Sequence, residues 1–352
     1  MKKLRILLVL VMLGALFVGC TGGNTGDTGN AGSGEQTYQW KLVHEEAPDS
    51  MQDHYAQEFK RIIEEKSSGR IKVDIFPVGQ LGDGSNLVEL LQNGAVEFGI
   101  NCPGATATIV PETNVFNTHF LLPGDTQKAR ELLKTSPTIK EYINSAYYAQ
   151  NMQVLDWFCE GYMMWTADRE IRKPADMKGF KIRTMASPMI AAMYEAYGAN
   201  PTPVPYMEVY SSLQLKMIDG QVNPLFAIEE MKFYEVQDYL ILSKQDVFVA
   251  TFCANKNYWE ALPEDVKKLV TDSVEEVNEY IHEVADDLNN DRLEKMKANS
   301  DIKVIELTEE EIDAFRQASM PARDKFLELG GPNAKAIMDG LVKDVEAVMS
   351  KA

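Results

Sequence analysis

From Tyr38 onward, short stretches in which apolar and polar residues alternate are separated by stretches in which apolar residues recur every three or four positions. YQWKLVHE reads as a strand, and the segment after it places Tyr55, Phe59, Ile62 and Ile63 on one helical face that stops at Gly69. IKVDIFP sets Ile71, Val73 and Ile75 against Lys72 and Asp74, the period of a strand. NLVELLQNG then reads as a helix closed by Gly94, and VEFGIN as the next strand. The order β-α-β-α-β predicts a parallel sheet with crossover helices. Downstream the alternation recurs, with a helix over 126–147, strands MQVLDWF and FKIRTM, helices PMIAAMYEAYG and YMEVYSSLQLKMIDG, and strands VQDYLIL and DVFVATF. Two α/β units in succession are expected.

Between Pro263 and Asn299 there is no glycine and no internal proline. Val266, Leu269, Val270, Val274, Val277, Ile281, Val284 and Leu288 keep helical spacing throughout. One helix on the order of 50 Å long is predicted, longer than a small domain is wide, so it should run along both units. Its acidic face, including EVADDLNND, reads as solvated surface, because the glycine turn of a calcium loop is absent. A short strand, IKVIEL, and helices starting near Thr308 and Pro332 complete the chain as packing elements.

The residues before Tyr38 follow other rules. A basic start at Lys2, Lys3 and Arg5, an apolar run from Ile6 to Val18 and the Gly19-Cys20 junction mark residues 1–19 as a lipoprotein signal peptide, with Cys20 the acylated residue. Residues 20–37, rich in Gly, Asn, Thr and Ser, read as a flexible tether. The formal charge is −18. Loss of the signal makes the body more acidic, about −21, which excludes a phosphate-backbone partner, since nucleic acid requires a concentrated basic face. With Cys20 lipidated, Cys102, Cys159 and Cys253 remain; without CxxC spacing they read as buried small hydrophobes with at most one disulfide.

No nucleotide-cradling, zincin or nucleophile-elbow motif occurs, and the four histidines lack metal-ligand spacing. No carboxylate pair is marked as acid and base. What stands out is a set of strand-end segments: HEEAPDS, FPVGQLGDGSN, FGINCPGA, FCEGYMMW, KIRTMASP, PTPVPYMEVY and DGQVNPLF. In doubly wound sheets ligands collect outside the carboxyl ends of strands, so these segments predict a pocket between two lobes. Arg183 ends the strand in GFKIRTMASP, where its planar fork of donors could grip a carboxylate; Asn223 could add amide hydrogen bonds. Pattern alone also admits a surface or interlobe ion pair for Arg183. It leaves Tyr206 and Met163 as core positions.

The ordered segments APDS then FPVGQLGDG, PADMKGFKIR, GANPTPVPYMEVYSSLQ, IDGQVNP, KFYEVQDYL and NYWEALPEDV resemble the extracytoplasmic solute-binding proteins of tripartite ATP-independent periplasmic (TRAP) transporters, the dicarboxylate- and sialic-acid-binding group. The resemblance covers the body from about Trp40 to Ser300. It implies an α/β, two-lobed periplasmic-binding-protein-like fold with a long helix spanning both lobes. The first lobe is expected from 38–160 and 249–285, the second from 161–248 and 286–325, and a C-terminal helical segment from 326–352. Arg183 matches the family's carboxylate-binding arginine, Asn223 the asparagine beside it, and Tyr206 an aromatic that lines the cleft. Cys102, Glu45 and Phe226 fall near ligand-facing positions. Where many relatives carry a second arginine or a polar residue, EGYMMW has Met163; with Tyr162, Trp165, Tyr206 and Phe226, it makes a monocarboxylate with an apolar or aromatic body the expected ligand. The resemblance implies a TRAP permease as partner, attachment to the membrane through the N-terminal lipid, and neither cofactor, bound metal nor catalytic residue. An ABC importer or a sensor kinase is the alternative partner.

Overall fold

The computed structural model describes residues 36–351. The signal peptide, Cys20 and nearly all of the tether lie outside the described residues.

Two sheets form the frame. The first has the order β2-β1-β3-β10-β4, with β1 Tyr38–His44, β2 Ile71–Phe76, β3 Phe98–Asn101, β4 Met152–Tyr162 and β10 Val247–Asn255. β1 pairs parallel with β2 and β3, as the early alternation requires, whereas β10 enters antiparallel between β3 and β4. The second has the order β11-β9-β5-β8-β6-β7, with β5 Met164–Ala167, β6 Lys181–Thr184, β7 Asn200–Pro203, β8 Gly220–Asn223, β9 Tyr239–Leu242 and β11 Lys303–Glu306. The chain passes from β4 to β5 through Met163, whose backbone N–H donates to the carbonyl of Asp246 at 2.9 Å, where the return strand begins. The two crossings therefore run side by side.

The helix Met51–Lys66 begins where the Ser50 hydroxyl accepts from the Asp53 N–H at 3.1 Å, and it buries Tyr55, Phe59, Ile62 and Ile63. These meet Trp40, Phe98 and Phe252, the last two rings stacked at 5.5 Å. The long helix spans Glu264–Asn299. Val266, Val270, Val274, Val277 and Ile281 join that first-lobe core, while Met296 joins a second-lobe cluster with Met164, Leu213, Ile228 and Leu240. At 1.5 Å per residue it is about 54 Å long and lies along both lobes.

Two helices are shorter than the pattern predicts. The stretch expected as one helix over 126–147 stops at Thr135, because Pro137 cannot donate a backbone hydrogen bond and pushes Ser136 out of helical geometry; helix resumes through a π turn at Ile139–Ile143. YMEVYSSLQLKMIDG is α-helical only over Val209–Gln214 and ends ahead of Lys216, whose φ is 56°. Helix Ala334–Met349 buries Ile337, Leu341 and Val348 against Leu132, Leu133 and Tyr147 of the first lobe. Among the described residues no helix is long and apolar enough to cross a membrane.

Candidate functional site

A cavity of about 260 Å³ lies between the two sheets, at the carboxyl ends of β1, β3, β6, β7 and β8. The first lobe contributes Glu45 and Glu46 after β1, Cys102 after β3, and the turn Asp83–Asn86. The second contributes Arg183 and Met185 at the end of β6, Tyr206 after β7, and Asn223 at the end of β8.

Arg183 is 3% exposed. Its Nε donates to the Val204 carbonyl at 2.9 Å, and the Tyr206 ring stands 5.9 Å from the guanidinium carbon. Among the described residues no carboxylate comes within 4.0 Å of it; burial lowers its pKa to about 10, so the cation persists at neutral pH. A buried guanidinium without a counter-ion costs several kcal/mol, and an entering anion removes that cost. Asn223 is held beside it through a 2.5 Å bond from its amide Nδ2 to Gln221, which in turn donates to Thr166 at 3.2 Å. The side chain is thereby oriented before any ligand arrives.

The opposite wall is acidic and largely neutralised. Glu45 accepts from the Asn101 amide at 3.2 Å and the Cys102 N–H at 3.0 Å, yet burial outweighs both bonds and pushes its pKa up to about 7. Glu46 accepts from the Gln52 N–H at 3.1 Å, and the Gln52 side-chain amide donates to Glu160 at 3.0 Å. Burial, and then the neighbouring Glu46 charge, raise Glu160 well above the carboxylate range, so that side chain keeps its proton. The Tyr206 hydroxyl is buried in the same region without a partner among the described residues.

Sulfur closes the seam. The Cys102 thiol lies 3.6 Å from the Met185 sulfur, joining the two lobes across the cavity. Gly104 permits this approach, because a Cβ there would sit 2.5 Å from the Met185 methyl group. Burial raises the Cys102 pKa, so the group is a neutral thiol rather than a nucleophile. Cys102, Cys159 and Cys253 are all free and buried.

The family model for "Bacterial extracellular solute-binding protein, family 7" matches residues 42–329. The chain belongs to this family. The family-7 protein is 35% identical over 314 residues to the ectoine-binding periplasmic protein TeaA of Halomonas elongata, covering 89% of this chain and 92% of TeaA. The high-resolution structure of that ectoine-binding protein superposes with a TM-score of 0.85 at 34% identity, covering 88% of this chain and 99% of the other. The apo open structure of a TRAP periplasmic solute-binding protein from Marinobacter aquaeolei VT8 gives a TM-score of 0.81 at 41% identity, covering 86% of this chain and 99% of the other. Members of the family are solute-binding receptors, and the two-lobed α/β architecture with its long helix is theirs.

Of the residues singled out in the sequence, Arg183, Asn223, Tyr206, Cys102 and Glu45 meet at the cavity of the family-7 protein. Met163, Trp165 and Phe226 do not line it. Met163 sits in the crossing between the sheets, 5% exposed, with its side chain in the second-lobe core. Trp165 is fully buried in that core, its indole N–H donating to the Tyr194 hydroxyl at 2.9 Å. Phe226 lies on the short helix Leu225–Glu230; the helical turn points it into the first-lobe aromatic cluster and gives the cavity face to Ala227. Sequence reasoning missed Glu46, Met185 and Phe248. Glu46 had a signal, as neighbour to Glu45 in HEEAPDS. Phe248 had none, since it lies inside an ordinary-looking strand.

Proposed function

We propose that this receptor captures a compact organic carboxylate outside the membrane and delivers it to a TRAP permease, itself held at the membrane by lipid on Cys20. It performs no bond chemistry. The observation that carries the ligand class is Arg183, a buried cation that faces the cavity with no counter-ion among the described residues. Burial of Met163, Trp165 and Phe226 in the lobe cores leaves Tyr206 and Phe248 as the aromatic lining of the cavity and weakens the motive for a large aromatic body. The facing Glu45 and Glu46 hold protons that a positive charge beside them would displace, so they favour a second ligand end that donates hydrogen bonds or carries positive charge, and disfavour a second carboxylate. Ectoine, named for the Halomonas relative, is a compact zwitterion of this kind.

Thermal melting with ectoine, succinate and galactonate at equal concentration tests the reading. Ectoine should raise the melting temperature most, since a ligand at a hundred times its Kd stabilises by about 2.7 kcal/mol. A rise with succinate alone would overturn the zwitterion assignment. No response from any of a broad panel of carboxylates would overturn the carboxylate reading.

A further inference from the structure

Asn289 and Arg292 lie one turn apart on the long helix, where it leaves the first lobe for the second, and each bonds to both lobes. The Asn289 amide donates to the Glu160 carbonyl at the end of β4 at 2.9 Å, and its oxygen accepts from the Phe226 N–H at 3.4 Å. Arg292, with a side chain 12% exposed, binds the Asp49 carboxylate through Nη2 and donates to Glu229 through Nη1 at 2.9 Å. Asp49 belongs to the loop that presents Glu45 and Glu46 to the cavity. Glu229 ends the helix that follows Asn223 and presents Ala227.

The surroundings look built for these contacts. Asp49 takes a left-handed backbone conformation, φ 72°, fixed by its N–H bond to Asp53 at 2.9 Å. Gly161 has φ 132°, and a Cβ on it would stand 2.7 Å from the Asn289 amide nitrogen, so the strand end must be glycine for Asn289 to reach Glu160. Lys295 gives Glu229 a second partner at 2.7 Å, which holds that carboxylate in place.

We infer that Arg292, seconded by Asn289, is a positioning residue of the binding site: it fixes the loop Glu45–Ser50 relative to the helix Leu225–Glu230 and so sets how readily the lobes close, without touching ligand. A ligand draws on closure only through contacts that differ between the open and closed arrangements, and a tie between the two ligand-facing segments lowers the cost of bringing them together. The ligand arm of the test rests on the receptor reading above; the other arm does not.

Hydrogen exchange on the full chain without ligand reads the coupling directly. Asp49→Asn keeps the left-handed backbone and removes the charge that Arg292 grips; the other contact of that carboxylate, His54 at 3.4 Å, stays within the first lobe. The substitution should speed exchange of amides in Leu225–Glu230, on the other lobe, several-fold, as Arg292→Met should on both segments; Arg292→Lys, which cannot fork between two carboxylates, should fall between wild type and Arg292→Met. Exchange changes confined in Asp49→Asn to its own loop would overturn the proposal. In the second arm, with ectoine as probe, Arg292→Met should bind roughly tenfold more weakly, mainly through faster dissociation. Where wild type binds ectoine, unchanged affinity in Arg292→Met would also overturn it. Should wild type ignore ectoine while the cross-lobe exchange effect is present, the zwitterion reading falls and the positioning role stands.

Discussion

The two walls of the cavity handle charge in opposite ways. On the second lobe a single guanidinium stays ionised and unpaired in a buried place. On the first lobe several carboxyl groups crowd together, and burial drives them toward their neutral forms. A lone cation cannot discharge itself at accessible pH, because guanidinium titrates too high, so it must import an anion. A group of acids can trade protons and hydrogen bonds among themselves. The contrast gives the cavity a fixed end and an adjustable end.

The largest effect should come from breaking the fixed end. Arg183→Ala is expected to cost roughly 2–5 kcal/mol of ligand affinity, and Arg183→Lys should recover only part of it, because an ammonium lacks the planar fork. Titration calorimetry checks this; equal affinity in all three proteins would remove Arg183 from the site. Next in size is the adjustable end. Glu46→Gln should lower affinity for a cation-bearing ligand by about 1–3 kcal/mol while narrowing the preference over dicarboxylates, as competition binding would show.

A third test separates acids that hold protons from acids that shed them. Glu45 at the cavity, and Asp156 bound to Tyr55 and Asn278 at 2.9 Å each, have pKa values raised to about 7 by burial. The unfolded chain releases these protons near pH 4, so the folded state binds more protons between about pH 4 and 7 and loses stability as pH rises through that window. Asp53 and Glu64, lowered to about 2, act in the opposite sense below pH 4, and His119 and His282, which burial lowers to about 3 and about 4, act in the opposite sense up to about pH 6.5. Asp156→Asn should therefore flatten the decline in denaturant midpoint between pH 5 and 7, by an amount on the order of 1–3 kcal/mol. An Asp156→Asn midpoint that falls as steeply as that of wild type between pH 5 and 7 would contradict the assignment.

The smallest expected effect lies outside both walls. Met163→Leu, a volume-conserving change in the crossing, should shift ligand affinity by less than about 0.5 kcal/mol. A large loss would return Met163 to the ligand's surroundings and weaken the two-wall description.

How far the sequence speaks depends on how long each pattern runs. The long helix was legible because helical spacing persists without glycine or proline for its whole length, and β1 to β3 because each alternates and is punctuated by a turn. β5, β7 and β8 are no shorter than β3 and β6, but MWTA, NPTP and GQVN lack the alternating large apolar residues of VEFGIN and FKIRTM, and only neighbouring strands define them. The same limit governs the site. Arg183 could be placed because it closes an alternating strand, whereas the face taken by Trp165 or Phe226 depends on a crossing and a helical turn that no local pattern fixes. Side-chain direction beyond a strand end is a property of tertiary packing.

The insertion of β10 between β3 and β4 also bears on the order of assembly. The first sheet lacks its central antiparallel member until the chain has been extended past every strand of the second sheet except β11. An emerging or translocating chain must hold β3 and β4 without their shared neighbour over that interval, a long-range pairing that slows folding and favours one concerted transition over two independent ones. Truncation anywhere before Val247 should leave neither lobe able to fold by itself, however complete the first one looks in the linear sequence.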